Sequence, residues 1–157
     1  MTQEEQKRLI SLVVQQVLER MGRDGAVDAH SPAPLRESPP EVLLVFGPDS
    51  LLSSEIRARY RLMGPESYQG PECLEGVAGV CLTQLSRRDL VDLALGRDGS
   101  PATCAATCAL LRGIPVFLLE QALEHRAFAR RAVPAFYQLL EHYVQRIQEL
   151  GVRLIAA

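Results

Sequence analysis

From Thr2 to Met21 the apolar residues Leu9, Ile10, Val13, Val14, Val17, Leu18 and Met21 recur at spacings of three and four, which gathers them on one half of a helix. Glu4, Glu5, Arg8, Gln15 and Glu19 take the other half. Gly22 supplies a stop, and residues 23–40 hold four prolines and no apolar periodicity, so they read as a tether. A short helix cut off in this way cannot bury its apolar face locally. It needs a partner, either another molecule or a groove on its own domain.

From residue 41 the pattern becomes short apolar runs alternating with helix-period segments. Glu41 to Phe46 (EVLLVF) and Val77 to Leu82 (VAGVCL) read as strands buried on both faces, as do Ile114 to Leu119 (IPVFLL) and Val152 to Ala156. A helix is expected from Leu51 to Leu62 with Gly64 as its stop, and a short edge strand near Glu66 to Gln69. Ser86 with Asp89 three residues on forms a capping box for a helix ending at Gly96, and Ser100-Pro101 opens a further helix from Ala102 to Leu111. Phe136, Leu140, Tyr143, Ile147 and Leu150 trace the core stripe of a last helix capped by Gly151. Strands alternating with helices imply a three-layer α/β fold of Rossmann or flavodoxin type: a five-stranded parallel sheet over residues 41–157 with helices on both faces.

At 157 residues and 47% hydrophobic content the chain fits one such domain. Its formal charge of −2 and 5% aromatic content lack the basic field and stacking platforms that nucleic acid requires. No apolar run reaches the eighteen or so residues that span a bilayer, and the N-terminus lacks the apolar core of a signal peptide, so a cytoplasmic location is expected. The four cysteines, Cys73, Cys81, Cys104 and Cys108, are then expected as reduced thiols.

In an open parallel sheet, ligands bind beyond the carboxyl ends of the strands where strand order reverses. Three segments should converge there: Gly47 to Ser50, Thr83 to Arg88, and Glu120 to His125, with Ser100 close by. Together they hold the parts of an anion site. Gly47 lets a backbone approach closely, Ser50, Thr83 and Ser86 offer hydroxyls, the helix starts at Ser86 and Ser100 present free N–H groups, and Arg87, Arg88 and Arg97 would add charge-assisted bonds. The competing structural reading is that each serine only caps its helix and each arginine is solvated. His125 stands where a general acid or base could act, or where a histidine simply packs at a helix start. Cys104 and Cys108, at i and i+4, could ligate a metal or form a redox pair, but they lack a second ligand pair at metal spacing and read first as small packed residues, with no metal site expected. There is no Walker loop, nucleophile elbow or GxGxxG.

The stretch LTQLSRRDLVDLALGRDGSPATCAATCALLRGIPVFLL resembles the central segment of the flavoprotein superfamily that includes the phosphopantothenoylcysteine decarboxylases. There a strand leads into a PASANT-type turn, a helix ending Ala-Leu-Gly, an Asp-containing link, a helix with threonines, and a strand beginning Pro-Val. Ser86 falls on the turn's serine, Ala94-Leu95-Gly96 on the helix end, Asp98 on the link, Thr103 in the next helix and Pro115-Val116 on the strand. The resemblance implies an FMN site at Gly47, Ser50, Thr83, Ser86, Arg87, Arg88, Ser100 and Thr103. Arg88 stands in place of the decarboxylases' asparagine, Asp89 in place of their threonine, and no PxMN segment follows, which counts against decarboxylase activity. With its tethered helix the whole chain is also similar to the small flavoprotein-like proteins of ethanolamine, propanediol and glycyl-radical bacterial microcompartment loci. That similarity implies a redox role; the alternative is a cofactor-free scaffolding role, which Arg88 in place of asparagine favours because a bulky arginine could fill the isoalloxazine space. It also implies that residues 1–22 address the chain to shell or cargo inside the compartment, and it leaves homo-oligomerisation open.

Overall fold

Alternation of apolar runs with turn residues builds a parallel sheet because each crossover must return the chain to the same edge. In the computed structural model, which describes residues 39–156, the strands are β1 (Val42–Phe46), β2 (Arg61–Met63), β3 (Val77–Leu82), β4 (Val116–Leu119) and β5 (Arg153–Ile155). They form one five-stranded sheet in the order β2-β1-β3-β4-β5, every pairing parallel. The helices are α1 (Ser54–Arg59), α2 (Arg87–Ala94), α3 (Pro101–Leu111) and α4 (Pro134–Glu149). Chain order runs leftward once, from β1 to β2, and rightward thereafter. With right-handed crossovers this puts α1 on one face and α2, α3 and α4 on the other, so the three-layer arrangement expected from the sequence is the one observed. The tethered helix at 1–22 and the tether up to residue 38 lie outside the described residues, while Pro39 and Pro40 belong to no helix or strand.

The core lies along β3 and β4. Val80, Leu82, Val116, Leu118 and Leu119 have no exposed surface, and each such side chain contributes roughly 1.5–3 kcal/mol of burial free energy. Ala105, Ala106 and Ala109, equally inaccessible, form the flat side of α3 that lies on β3 and β4. Ser53 caps α1 through its Oγ, 3.4 Å from the Ile56 amide. Ser100 and Thr103 form a full reciprocal capping box at α3, whereas at α2 the Ser86 Oγ accepts from the Asp89 amide at 3.0 Å.

Three local expectations need correction. The helix expected from Leu51 to Leu62 is only Ser54–Arg59, because Asp49–Leu51 closes as a 3-10 turn and Tyr60 is already extended. The edge strand is consequently Arg61–Met63, paired to Val42–Leu44, and Gly64 ends a strand rather than a helix; Glu66 lies in a 3-10 turn begun by Pro65. On α4 the buried stripe is Leu140, Val144 and Ile147, while Phe136 and Leu150 at its two ends are exposed.

Candidate functional site

At the carboxyl edge of the sheet, β1 and β3 end side by side while their connections leave in opposite directions, so a crevice opens between them. The Thr83 amide donates to the Phe46 carbonyl at 3.0 Å, and the buried Thr83 hydroxyl donates to the same oxygen at 3.2 Å. The next residue of the first strand's turn, Gly47, takes φ +108°, where a side chain would put its Cβ 2.5 Å from Thr83 Oγ1 and 2.9 Å from the Gln84 amide nitrogen. Only glycine fits. Beyond β3 and β4 a parallel bridge between Leu85 and Leu123 carries the pairing further and fixes the two loops together.

The resulting cleft has a volume of about 690 Å³ and draws on all three segments expected to converge, together with Ser100. Gly47, Thr83, Ser86 and Ser100 line it. The other expected site residues do not. Ser50 sits exposed in the 3-10 turn, and Thr103 is fully buried with its hydroxyl given to the capping box, accepting from the Ser100 amide at 2.9 Å and donating to the Ser100 carbonyl at 3.0 Å. Arg87 pairs with Glu124 at 3.0 Å and Arg88 with Asp92 at 3.7 Å, both turned from the cleft, and Arg97 is solvated. Arg88 therefore does not fill the space that a planar ring would take. Residues that sequence reasoning left out include Phe46, Leu51, Pro65, Gln84 and Gln121 on the walls and the carboxylates Asp89 and Glu124. Gln84 and Gln121 lie inside the flagged segments; Pro65, which reaches the cleft from the turn after β2, carries no sequence signal of its own.

A flavin mononucleotide can be set against these residues in two halves. For the isoalloxazine, the backbone cradle at Gly47 and the side chains of Phe46, Leu51, Pro65, Leu85 and Ala122 would supply largely apolar walls in a cleft of ordinary ligand size. For the phosphate, no lining side chain is a cation; its donors would be the Ser86 and Ser100 hydroxyls and the first amides of α2. A ring would meet mostly apolar side chains there, and a phosphate would find neutral donors but no cation.

Two other clusters lie apart from the cleft lining. Cys104 and Cys108 are half-buried, Cys108 packed against the edge of the core, while the fully buried side of α3 is taken by its alanines. Cys104 Sγ lies 3.3 Å from the Tyr68 hydroxyl, and burial together with that contact holds the phenol above its usual range. Buried Cys81 is pushed up to about 12 and stays a thiol at neutral pH. His125 is 5% exposed and its Nε2 lies 2.7 Å from Glu141 Oε1, while Arg126 grips both oxygens of the same carboxylate at 3.0 and 3.3 Å. No group of three or more metal-ligating side chains occurs among the described residues, and none of their helices is long and apolar enough to cross a membrane.

No protein-family model matches the chain, and no curated protein matches its sequence. Among solved structures it is similar to phenylacrylic acid decarboxylase from Aquifex aeolicus, with 14% identity and a TM-score of 0.42 over 73% of this chain and 79% of that one. The fold assignment rests on the strand order and register.

Gly47→Ala should lower unfolding free energy by about 1–3 kcal/mol, through strain at positive φ and collision with Thr83; an unchanged denaturant midpoint would contradict the close approach. Burial raises the Glu141 carboxyl, but hydrogen bonds from Arg126 and His125 outweigh it and hold the group below the usual range. A depressed carboxyl stabilises above its unfolded value, roughly 4.3, and loses that contribution as pH falls through its folded value. The melting-temperature gap between the wild type and Glu141→Gln should therefore shrink below about pH 4, and a gap that widens there would refute the assignment.

Proposed function

We propose that this chain is an FMN-binding protein that uses the β1/β3 cleft, and that residues 1–22 address it to a bacterial microcompartment. The observation that carries the reading is the crevice at the strand-order reversal, floored by Gly47 at φ +108° in close approach to Thr83. Flavodoxin, whose sheet has this strand order, binds FMN at the same reversal point. The ring would lie over Gly47 against Phe46 and Leu51, with Ser86, Ser100 and the α2 amides toward the phosphate. A bound flavin supplies one- and two-electron chemistry, and the chain's own part is to orient it and exclude water. Electron transfer serving an encapsulated pathway is the role that this chemistry and the addressing helix together support.

A second reading, a cofactor-free assembly protein, is favoured by one observation: the charged side chains lining the cleft are the carboxylates Asp89 and Glu124. Titrating the purified full chain with FMN separates the two. The proposal expects saturable quenching of flavin fluorescence and a shifted visible band, whereas a colourless protein that leaves added FMN unperturbed would overturn it and leave the scaffold.

Support for the address is the apolar half-face from Leu9 to Met21 followed by the proline-rich tether. Deleting residues 1–22 should leave the domain's melting temperature within a few degrees, roughly the spread of a change below 1 kcal/mol, while abolishing co-sedimentation with shells or cargo. Retained co-sedimentation would contradict the address.

A further inference from the structure

Helix α3 turns its alanines to the core and carries Cys104 and Cys108, four residues apart, at half-buried positions. The segment after β2 runs beside them: the 3-10 turn Pro71–Leu74 packs on α3, and the Tyr68 hydroxyl lies 3.3 Å from Cys104 Sγ. Cys108 acts on the same phenol. Burial, then the contact with Cys104 and the influence of Cys108, hold Tyr68 above its usual range, so it is a protonated donor at neutral pH. Two free thiols thus neighbour one O–H group.

Spacing decides what such a pair can hold. Residues four apart on a helix keep their Cβ atoms roughly 5–6 Å apart, whereas a disulfide needs about 3.5–4.5 Å. Direct oxidation would strain a helix held by its capping box and its buried alanines. A single ion between the sulfurs, at roughly the 2.3 Å of a metal–thiolate bond from each, spans the gap without moving the backbone. Ligand number then selects the ion. No group of three or more His, Cys, Asp or Glu side chains placed to hold a metal occurs among the described residues, and the protonated phenol donates rather than ligates. Structural zinc takes four ligands, and iron–sulfur clusters take four cysteines. Of the metals that thiolates favour, Cu(I) remains, a closed-shell ion that two thiolates in line satisfy. The lack of a second ligand pair counts against zinc and not against this ion.

We propose that Cys104 and Cys108 bind one Cu(I) ion as a two-thiolate site, with the Tyr68 hydroxyl donating to the Cys104 sulfur. Binding expels both thiol protons, so Cu(I) and two thiols give a singly negative copper bis-thiolate and two H⁺, and no electron moves. The site stands independently of the flavin reading, since neither cysteine nor Tyr68 lines the cleft.

The test titrates the reduced full chain with Cu(I) under anaerobic conditions, in competition with a chromogenic Cu(I) chelator. The wild type should withdraw one equivalent of copper, and X-ray absorption of that complex should show two sulfur atoms as the nearest neighbours of the metal. Cys104→Ser and Cys108→Ser should each abolish the competition, while Cys73→Ser leaves it intact. Tyr68→Phe should weaken binding about tenfold with an unchanged circular dichroism spectrum, as the loss of a hydrogen bond to a ligand does. Excess Zn(II) should leave the copper in place. Competition retained in either Cys→Ser variant, nitrogen or oxygen beside the copper, an unweakened Tyr68→Phe or displacement by Zn(II) would each overturn the proposal. So would a Cys104–Cys108 disulfide formed when the metal-free chain meets air, which would assign the pair to thiol redox chemistry.

Discussion

One carbonyl oxygen, that of Phe46, receives both the amide and the hydroxyl of Thr83, and these bonds clamp the ends of β1 and β3 where the strand order reverses. Everything at the carboxyl edge follows from that clamp. It draws the turn after β1 so close to the turn after β3 that only glycine fits at 47, and it leaves Gln84 to Ser86 to form one side of the cleft. The Leu85–Leu123 bridge then ties the β4 loop to the same frame, which brings Gln121 and Glu124 to the opposite side and His125 behind them.

Charge is arranged so that cations stay out of the cleft. Arg87 and Arg88, adjacent at the start of α2, each find a carboxylate partner, Glu124 and Asp92, and Arg126 is committed to Glu141. Exposed pairs of this kind contribute little to stability. Their consequence is that the cleft presents hydroxyls, amides, apolar walls and the carboxylates Asp89 and Glu124 rather than guanidinium forks. Beside a neighbouring concavity, Glu141 takes hydrogen bonds from both Arg126 and the buried His125.

Much of this was legible in the sequence where a single physical rule dominates. Val77 to Leu82 reads as a strand and is one to the residue, fully buried from Gly79 onward, and Ser86 and Ser100 cap the helices they precede. Gly47 was legible as a close-approach position because it ends an apolar run. What escaped depends on rotation and reach. Arg87 and Arg88 look like anion ligands in one dimension, but partners lying 37 and four residues away in sequence claim them. Cys104 and Cys108 look like fully buried core residues, yet the alanines beside them take the most buried side of α3 and leave Cys108 only at the core's edge. The Leu51 to Leu62 segment has helical periodicity, yet pairing with β1 draws Arg61–Met63 into the sheet, a tertiary demand that outweighs local propensity.

The central claim, that the clamp at Phe46 and Thr83 builds a flavin site, is tested most directly by mapping backbone amide shifts while FMN is added to the labelled full chain. The account predicts that the largest shifts fall on Gly47, on Gln84 to Asp89 and on Ala102, the residues around the cleft. Shifts absent from these positions, or centred instead on Phe128 to Leu140, would contradict it.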